Sequence, residues 1–261
     1  MTLIKAAALQ YAPKLGDTGF NLQKAEQLLS GDIDATLIVL PELAGSGYNF
    51  ENREMALECS EPVPDGPFSS MICRVAQEKK QWIVAGLNER DGDYLYNSAI
   101  IAGPCGFAGK YRKVHLFWNE FDLFQPGDSG FPVFNMDGIT LGVLICFDWA
   151  FPEAWRSLAL KGAQVVAHPS NIVLPHAWKA LPGHALCNNF AIVTANRTGT
   201  ERGITFAGKS SIIDARGEFC AIAEPADEAI VCCEVKAGDD QMKSLTPRNH
   251  LLKDRRPEFY P

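Results

Sequence analysis

The sequence GVLICFDWAFPEAW (Gly142–Trp155) contains the change from a strand pattern to a helix pattern that decides the fold. Its apolar run is typical of a buried strand, and it ends on Cys146 before passing through Asp148 and Pro152 into a helical pattern. Enzymes often place a nucleophile where a buried strand gives way to a helix. A cysteine that merely fills the core would not explain this position. The stretch therefore predicts an α/β protein with a candidate nucleophile at a strand–helix junction.

Strand and helix patterns alternate along the rest of the chain, with no low-complexity linker. Turn signals at Asp91–Asp93 and at Asp137-Gly138 predict two antiparallel hairpins. Several strands are apolar throughout, which indicates sheets covered by helices on one face and by more protein on the other. Two halves of similar content favour two sheets stacked face to face with helices outside. A doubly wound, three-layer sheet is the alternative.

Composition limits the classes of protein. The chain has 261 residues, 47% of them hydrophobic, which fits one large α/β domain or two small ones. Its net charge of -7 argues against nucleic acid as a partner, because binding phosphates needs a cationic surface. No window approaches the roughly 18 consecutive apolar residues of a membrane span, and the N-terminus lacks the apolar core of a signal peptide. We expect a cytoplasmic protein.

The eight cysteines do not form a metal or disulfide pattern. None of them has the C-x₂₋₄-C spacing of a zinc site, and Cys232 and Cys233 are adjacent in a predicted strand, where they point to opposite faces. Their density is also below that of secreted disulfide scaffolds. We therefore expect reduced thiols, mostly in the core, and no metal site.

Glu42 is the first candidate site residue. In IVLPELAGSGY (38–48) it follows Pro41, where an apolar strand gives way to a glycine-rich loop. A partly desolvated carboxylate at this point could serve as a general base. It could equally cap backbone amides of the loop.

Lys113 is the second candidate. In GKYRKVHLFWNEF (109–121) it precedes an aromatic patch, and Glu120 lies just beyond. A lysine inside an aromatic-lined pocket could stabilise an oxyanion. The alternative is a solvated basic edge of a sheet.

Cys146 is the third candidate. At the start of a helix, backbone N–H groups and the helix dipole favour a thiolate, and the Phe147 N–H could point at a developing oxyanion. Asp148 is expected to order the turn. A histidine partner for Cys146 is not excluded by the sequence, and His168 at a strand end could line the site.

Three segments in this order and spacing resemble the nitrilase superfamily of carbon–nitrogen hydrolases: LPELAGSGY (40–48), YRKVHLF (111–117) and GVLICFDWAFPE (142–153). The similarity covers essentially the whole chain. It includes NSAIIAGPCGFAGKYRKVHLF (97–117), LALKGAQVVAHPSN (158–171) and FAGKSSIIDARGE (206–218).

The resemblance implies a four-layer αββα sandwich of two mixed sheets and a catalytic triad without metal or organic cofactor. In that triad Glu42 is the general base, Lys113 the oxyanion stabiliser and Cys146 the nucleophile. The remaining residues expected to position the substrate are Glu120, Phe147, Trp149 and Asn171.

Residues 1–261 would then form a single carbon–nitrogen hydrolase domain, whose C-terminal tail (247–261) packs on a partner subunit of a homodimer or larger homo-oligomer. One segment departs from the family pattern Arg-Ala-x-Glu-Asn: HALCN (184–188) has His184 for arginine and Cys187 for glutamate. We expect this change to alter helix packing or the subunit contact rather than activity.

The function implied is hydrolysis of a small amide to a carboxylate and ammonia through a thioester. An N-carbamoyl amine hydrolase or a nitrilase on the same triad is the alternative. A catalytically silent partner-binding protein is the alternative from another class. For a substrate that carries a carboxylate, Arg197 and Lys179 are the cations considered.

Overall fold

The computed structural model describes residues 3–238 and 243–260. Strands and helices alternate along it. The helices are α1 (Thr18–Ser30), α2 (Arg53–Glu58), α3 (Pro67–Lys79), α4 (Pro152–Leu160) and α5 (Ala177–Asn188). The strands are β1 (Leu3–Gln10), β2 (Leu37–Val39), β3 (Trp82–Asp91), β4 (Tyr94–Gly103), β5 (Gly106–Arg112), β6 (Val133–Met136), β7 (Ile139–Val143), β8 (Val165–Ser170), β9 (Ala191–Asn196), β10 (Thr200–Glu201), β11 (Ile204–Thr205), β12 (Ser211–Ile213), β13 (Phe219–Ile222), β14 (Ala229–Lys236), β15 (Ser244–Thr246) and β16 (Asn249–His250). Short 3₁₀ turns lie at Trp118–Asp122, Cys146–Ala150 and Pro257–Phe259.

Two six-stranded sheets form the centre of the protein. The first has the order β14-β1-β2-β3-β4-β5, and the second has the order β13-β12-β9-β8-β7-β6. In the first sheet β1, β2 and β3 are parallel, and in the second β7, β8 and β9 are parallel. The outer strands of both sheets pair antiparallel, including the two predicted hairpins β3–β4 and β6–β7. Both sheets are therefore mixed.

The sheets stack face to face, and the burial of β1 shows why its sequence is apolar throughout. Ala6 and Ala8 pack in the core between the sheets, whereas Ala7 and Leu9 pack under the outer helices. Successive side chains of a strand point to opposite faces, so a strand in an inner layer needs apolar residues at every position. Helices α1 and α3 cover the first sheet, and α4 and α5 cover the second. The predicted αββα sandwich is confirmed, and the three-layer alternative is wrong.

The candidate site residues follow the carboxyl ends of four strands. Glu42 comes three residues after β2, Lys113 directly after β5, Cys146 three residues after β7 and Asn171 directly after β8. Strands β2 and β5 run in the same direction within the first sheet, as do β7 and β8 within the second. Ligands of α/β proteins commonly bind outside the carboxyl ends of strands. The fold thus brings the candidate site residues together at one edge of the two sheets.

A glycine in β3 allows the Glu42 segment to lie against the sheet. The Gly86 N–H donates to the Pro41 carbonyl oxygen at 3.1 Å, and the Ala44 N–H donates to the Gly86 carbonyl oxygen at 2.9 Å. A Cβ on Gly86 would lie 2.4 Å from the Glu42 Cα and 2.6 Å from the Pro41 oxygen. Both of these neighbours are backbone atoms, so the glycine fixes the position of Glu42.

Gly86→Ala is expected to lower the free energy of unfolding by about 1–3 kcal/mol or more, because the added methyl group overlaps backbone that cannot move aside locally. Denaturant unfolding measures the change. Gly183→Ala in α5 is the matched control, since its Cβ would meet open space. There we expect a gain of about 0.5–1 kcal/mol from helix propensity. Similar effects of the two substitutions would contradict the proposed overlap.

Candidate active site

Lys113 lies buried between two carboxylates. Its Nζ donates to Glu42 Oε1 at 2.7 Å and to Glu120 Oε1 and Oε2 at 2.7 and 2.8 Å. Lys113 is 1% exposed, Glu42 is 0% exposed and Glu120 is 3% exposed. Burial alone would lower the pKa of Lys113, but the charges of Glu120 and Glu42 outweigh it and raise that pKa. Lys113 is therefore a permanent ammonium group at the centre of the site.

The two oxygens of Glu42 differ in their contacts. Oε1 accepts hydrogen bonds from Lys113 and from Asn97 Nδ2, the latter at 2.7 Å. Oε2 is buried and has no hydrogen-bond partner among residues 3–238 and 243–260. The backbone carbonyl of Glu42 accepts from Asn171 Nδ2 at 2.9 Å, which ties the two sheets together beside the site. Glu42 is thus held through one oxygen while the other is available for a proton.

Cys146 opens a strained turn at the end of β7. Its φ is +43°, a left-handed conformation that is uncommon for non-glycine residues. Asp148 holds the turn, because its Oδ2 accepts from the Ile145 N–H at 2.8 Å and from the Tyr111 hydroxyl at 2.8 Å. The expectation that Asp148 orders the turn agrees with these contacts.

The Cys146 thiol is protonated at neutral pH. Burial raises its pKa well above the usual value, and the Glu42 and Glu120 carboxylates add to this, while Lys113 opposes it. The predicted thiolate at a helix terminus is therefore wrong. The segment is a 3₁₀ turn of 5 residues rather than the start of a long helix. The Glu42 and Glu120 carboxylates also act on the sulfur. A base must remove the thiol proton before the sulfur can attack.

A small pocket of about 10 Å³, room for about one water molecule, lies against Cys146. Its walls are largely apolar, and they are formed by Phe117, Cys146, Phe147, Trp149, Asn171, Ile172, Val173 and Leu174. Phe147, Trp149 and Asn171, all predicted to position substrate, thus line the pocket, whereas Glu120 lies against Lys113. Trp118 is 61% exposed and lies outside it.

The family model named Carbon-nitrogen hydrolase matches residues 5–239. The chain belongs to the carbon–nitrogen hydrolase family. It is 45% identical over 260 residues to "Nitrilase" of Pyrococcus abyssi, with 99% of each chain covered. It is 33% identical over 285 residues to N-carbamoylputrescine amidase of Solanum lycopersicum, with 99% of this chain and 94% of that one covered. The crystal structure of a carbon–nitrogen hydrolase from Helicobacter pylori G27 matches with a TM-score of 0.87 at 29% identity, covering 99% and 97% of the chains.

These matches confirm the resemblance to the nitrilase superfamily. The chain is a hydrolase whose active-site cysteine, Cys146, lies near Glu42 and Lys113. Within residues 3–238 and 243–260, no group of three or more His, Cys, Asp or Glu side chains could hold a metal ion. No helix in the described part of the chain is long and apolar enough to cross a membrane.

Two polar residues of this hydrolase site were missed by the sequence analysis. The Tyr48 hydroxyl donates to Glu120 Oε1 at 2.8 Å, and Asn97 holds Glu42 as described above. Burial raises the pKa of Tyr48 well above its usual value, so the phenol remains a donor. The available signals were a tyrosine in the loop after Glu42 and an asparagine inside an apolar strand.

Arg197 and Lys179, the two cations considered from the sequence, have contacts away from the pocket at Cys146. Arg197 is buried, and its Nη1 donates to Glu201 Oε2 at 2.7 Å. Glu201 Oε1 in turn accepts from the Tyr48 N–H at 3.0 Å, so this ion pair supports the Tyr48 loop. Lys179 lies on α5, in a groove beside the C-terminal segment. Neither residue lines the pocket at Cys146.

Three ring N–H groups hold the nucleophile turn. His168 Nε2 lies 3.0 Å from the backbone carbonyl oxygen of Cys146. Trp155 Nε1 donates to the backbone carbonyl oxygen of Asp148 at 3.1 Å. His184 Nε2 lies 2.9 Å from the backbone carbonyl oxygen of Trp149. A carbonyl only accepts, so each Nε2 carries a proton. Burial lowers the pKa of His168 to about 4, which keeps that ring neutral.

The departure from the family pattern at residues 184 and 187 has a local explanation. His184 contacts the nucleophile turn through Trp149 and stacks on Trp155, with ring centroids 4.9 Å apart. Cys187 is exposed, and its backbone carbonyl accepts from Arg156 Nη2 at 2.9 Å. His184 therefore supplies an N–H donor and a flat packing surface at the place where family members often have arginine.

Acidification is expected to destabilise the protein through His168. Its folded pKa of about 4 lies below the unfolded value of 6.5, so the unfolded chain binds more protons between these pH values. The stabilising contribution is present above pH 6.5 and is lost as the pH falls to about 4. It amounts to about 3 kcal/mol, the shift multiplied by about 1.4 kcal/mol per unit.

His168→Gln tests this expectation, because its side-chain amide can donate to the Cys146 oxygen but cannot titrate. Denaturant unfolding from pH 8 to pH 4 should show a smaller loss of stability in the variant than in the wild type. The values at pH 8 provide the reference for each protein. An equal loss in both proteins would contradict a neutral, buried His168.

Proposed function

We propose that this protein hydrolyses a small-molecule amide to a carboxylate and ammonia through a thioester on Cys146. The observation that carries the proposal is the arrangement around Lys113. Its ammonium group is fixed by Glu42 and Glu120, and a buried thiol lies near Glu42, whose second oxygen is unpartnered. A base and a fixed positive charge thus lie near the thiol, and the thiol itself lines an apolar pocket.

In the first step, Glu42 takes the proton of the Cys146 thiol and the sulfur attacks the amide carbon. The carbonyl oxygen becomes an oxyanion, which Lys113 and the Phe147 N–H stabilise. A well-placed donor contributes about 3–4 kcal/mol to such a step. The ammonium group is already in position, so it does not reorganise during the reaction.

In the second step, Glu42 returns the proton to the amide nitrogen, the C–N bond breaks and ammonia leaves. Glu42 then removes a proton from water, the hydroxide attacks the thioester, and the C–S bond breaks. The sulfur regains its proton from Glu42, and the acid passes its own proton to the released ammonia and leaves as a carboxylate. Glu120 keeps Lys113 in place and also positions the substrate. Phe147, Trp149 and Asn171 position the substrate as well.

Nitriles are the second candidate substrates, because the relative of 45% identity is named nitrilase. N-carbamoyl amines are a third class, supported by relatives named N-carbamoylputrescine amidase. All three reactions begin with attack of Cys146 on an electrophilic carbon. A catalytically silent protein would be expected to have lost part of this site, and its three residues are all present.

Removal of the nucleophile or the base is expected to abolish ammonia release. Cys146→Ala should give no turnover, and Glu42→Gln should lower kcat by about 10²- to 10⁴-fold, because the thiol then lacks its base. The measurement is ammonia release from aliphatic amides, ω-amides of keto acids, N-carbamoyl amines and nitriles. Mass spectrometry of the quenched enzyme should detect an acyl adduct.

Cys105→Ala is the matched control, since Cys105 is an exposed thiol outside the pocket. It should leave turnover unchanged. If wild type and Cys146→Ala released ammonia equally from any substrate, the proposed role of Cys146 would be wrong.

We also propose that residues 1–261 form one domain and that the tail, 247–261, packs on a partner subunit in a homodimer or larger assembly. The C-terminal segment lines a groove of about 1110 Å³ with α4 and α5. Large apolar side chains near it are exposed: Leu160, Leu186, Leu245, Phe259 and Tyr260. A second copy of the chain would cover this surface.

Deletion of residues 247–261 is therefore expected to reduce the oligomer to monomers. Light scattering after size exclusion measures the mass of the full and shortened chains. Phe219→Ser, which removes an exposed aromatic residue on the edge strand β13, is the control and should not change the mass. A full-length monomer, or a shortened chain that still assembles, would contradict the proposal.

A further inference from the structure

An apolar groove adjoins the catalytic pocket. Its volume is about 490 Å³, and it shares two wall residues, Phe117 and Phe147, with the pocket at Cys146. The pocket itself has room for about one water molecule. When the reacting carbon of a substrate lies at Cys146, an apolar substituent can therefore extend across these two rings into the groove.

The groove has a fixed aromatic wall. The rings of Phe117 and Phe147 have centroids 4.9 Å apart, and Phe147 contacts Phe151 edge-on at 5.4 Å. Phe151 stacks on His115 at 3.6 Å, and His115 Nδ1 is bound to Asp148 Oδ1 at 2.7 Å. One of the two ring nitrogens of His115 is thus occupied, and the ring packs flat on Phe151.

The groove also lacks charged partners. Among the described residues that line it, there is no Asp, Glu, Lys or Arg. An ammonium or carboxylate group that entered the groove would lose water without gaining an ion pair, which costs several kcal/mol. The groove therefore selects against charged substituents and for flat or branched apolar ones.

Backbone strain links the groove to the catalytic lysine. Trp118 has a φ of +49°, and the turn that begins there is closed by Glu120, which accepts from the Phe117 N–H at 3.2 Å through Oε2. The same Glu120 holds Lys113. Trp118 and Phe121 are 61% and 68% exposed on this turn, although both are large and apolar. Strain and exposed aromatic surface beside a site are typical of a ligand-binding segment.

We propose that the substrate of this enzyme is an uncharged amide with an aromatic or branched apolar substituent that binds in this groove. The inference rests on the proposed hydrolysis at Cys146 and specifies its substrate class. The carbonyl carbon lies at the sulfur, the substituent crosses Phe117 and Phe147, and Trp118 and Phe121 cover its outer side.

The test compares matched substrates with wild-type enzyme: 3-phenylpropionamide against propionamide, and 3-phenylpropionitrile against propionitrile. In whichever pair is hydrolysed, kcat/KM should be at least about tenfold higher for the phenyl compound, since even one methylene in an apolar pocket changes it by about 10- to 200-fold. Succinamate and N-carbamoylputrescine, whose substituents end in a charge, should be poorer than 3-phenylpropionamide.

Phe121→Ala and Trp118→Ala should each lower the ratio of phenyl to unsubstituted kcat/KM by about tenfold, mainly through KM. Phe107→Ala removes an exposed aromatic residue outside the groove and should leave the ratio unchanged.

The outcomes separate the two proposals. A ratio near one in wild type, or a ratio that the groove variants do not change, overturns the groove assignment while hydrolysis at Cys146 stands. A high ratio for the nitriles with no amide turnover supports the groove and overturns amide hydrolysis. Turnover of neither pair, or better turnover of the charged compounds, overturns the substrate class proposed here.

Discussion

The ion cluster of Lys113 with Glu42 and Glu120 is the interaction on which the site depends. A buried ammonium without partners would lose several kcal/mol of solvation, and two carboxylates at 2.7 Å compensate for that loss. The cluster has two carboxyl groups for one ammonium group. Burial and the nearby Glu42 therefore raise the pKa of Glu120 to about 7 despite the opposing Lys113, and they also keep the Cys146 thiol protonated. Removal of the thiol proton therefore requires a base, which is the role proposed for Glu42.

Three residues with a left-handed backbone conformation lie in the chain segments that carry the site residues. Leu43, Trp118 and Cys146 all have left-handed φ values, of 49°, 49° and 43°. Leu43 follows Glu42 and Trp118 precedes Glu120. Each such residue costs about 1–2 kcal/mol, so the surrounding structure must hold it. Ring N–H donors around the nucleophile turn and the close approach of Gly86 to Glu42 provide part of that support.

Much of the fold could be predicted from local pattern. Strands apolar at every position indicated stacked sheets, and the turn signals at Asp91–Asp93 and Asp137-Gly138 marked the two hairpins correctly. The residues Glu42, Lys113 and Cys146 could be named because their motifs resemble a known family. The protonation state of Cys146 was predicted wrongly, because a rule for helix termini ignores carboxylates that come from other segments.

The sequence by itself determined the alternation of elements, since this depends on residues a few positions apart, and its resemblance to a known family identified the four-layer architecture and the reactive side chains. Only the tertiary structure decided that Tyr48 and Asn97 support the carboxylates, that Arg197 pairs with Glu201, and that an apolar groove adjoins the pocket. Electrostatic energies in a desolvated site depend on distances of a few ångströms between groups far apart in the chain. Those distances exist only after the two sheets have packed.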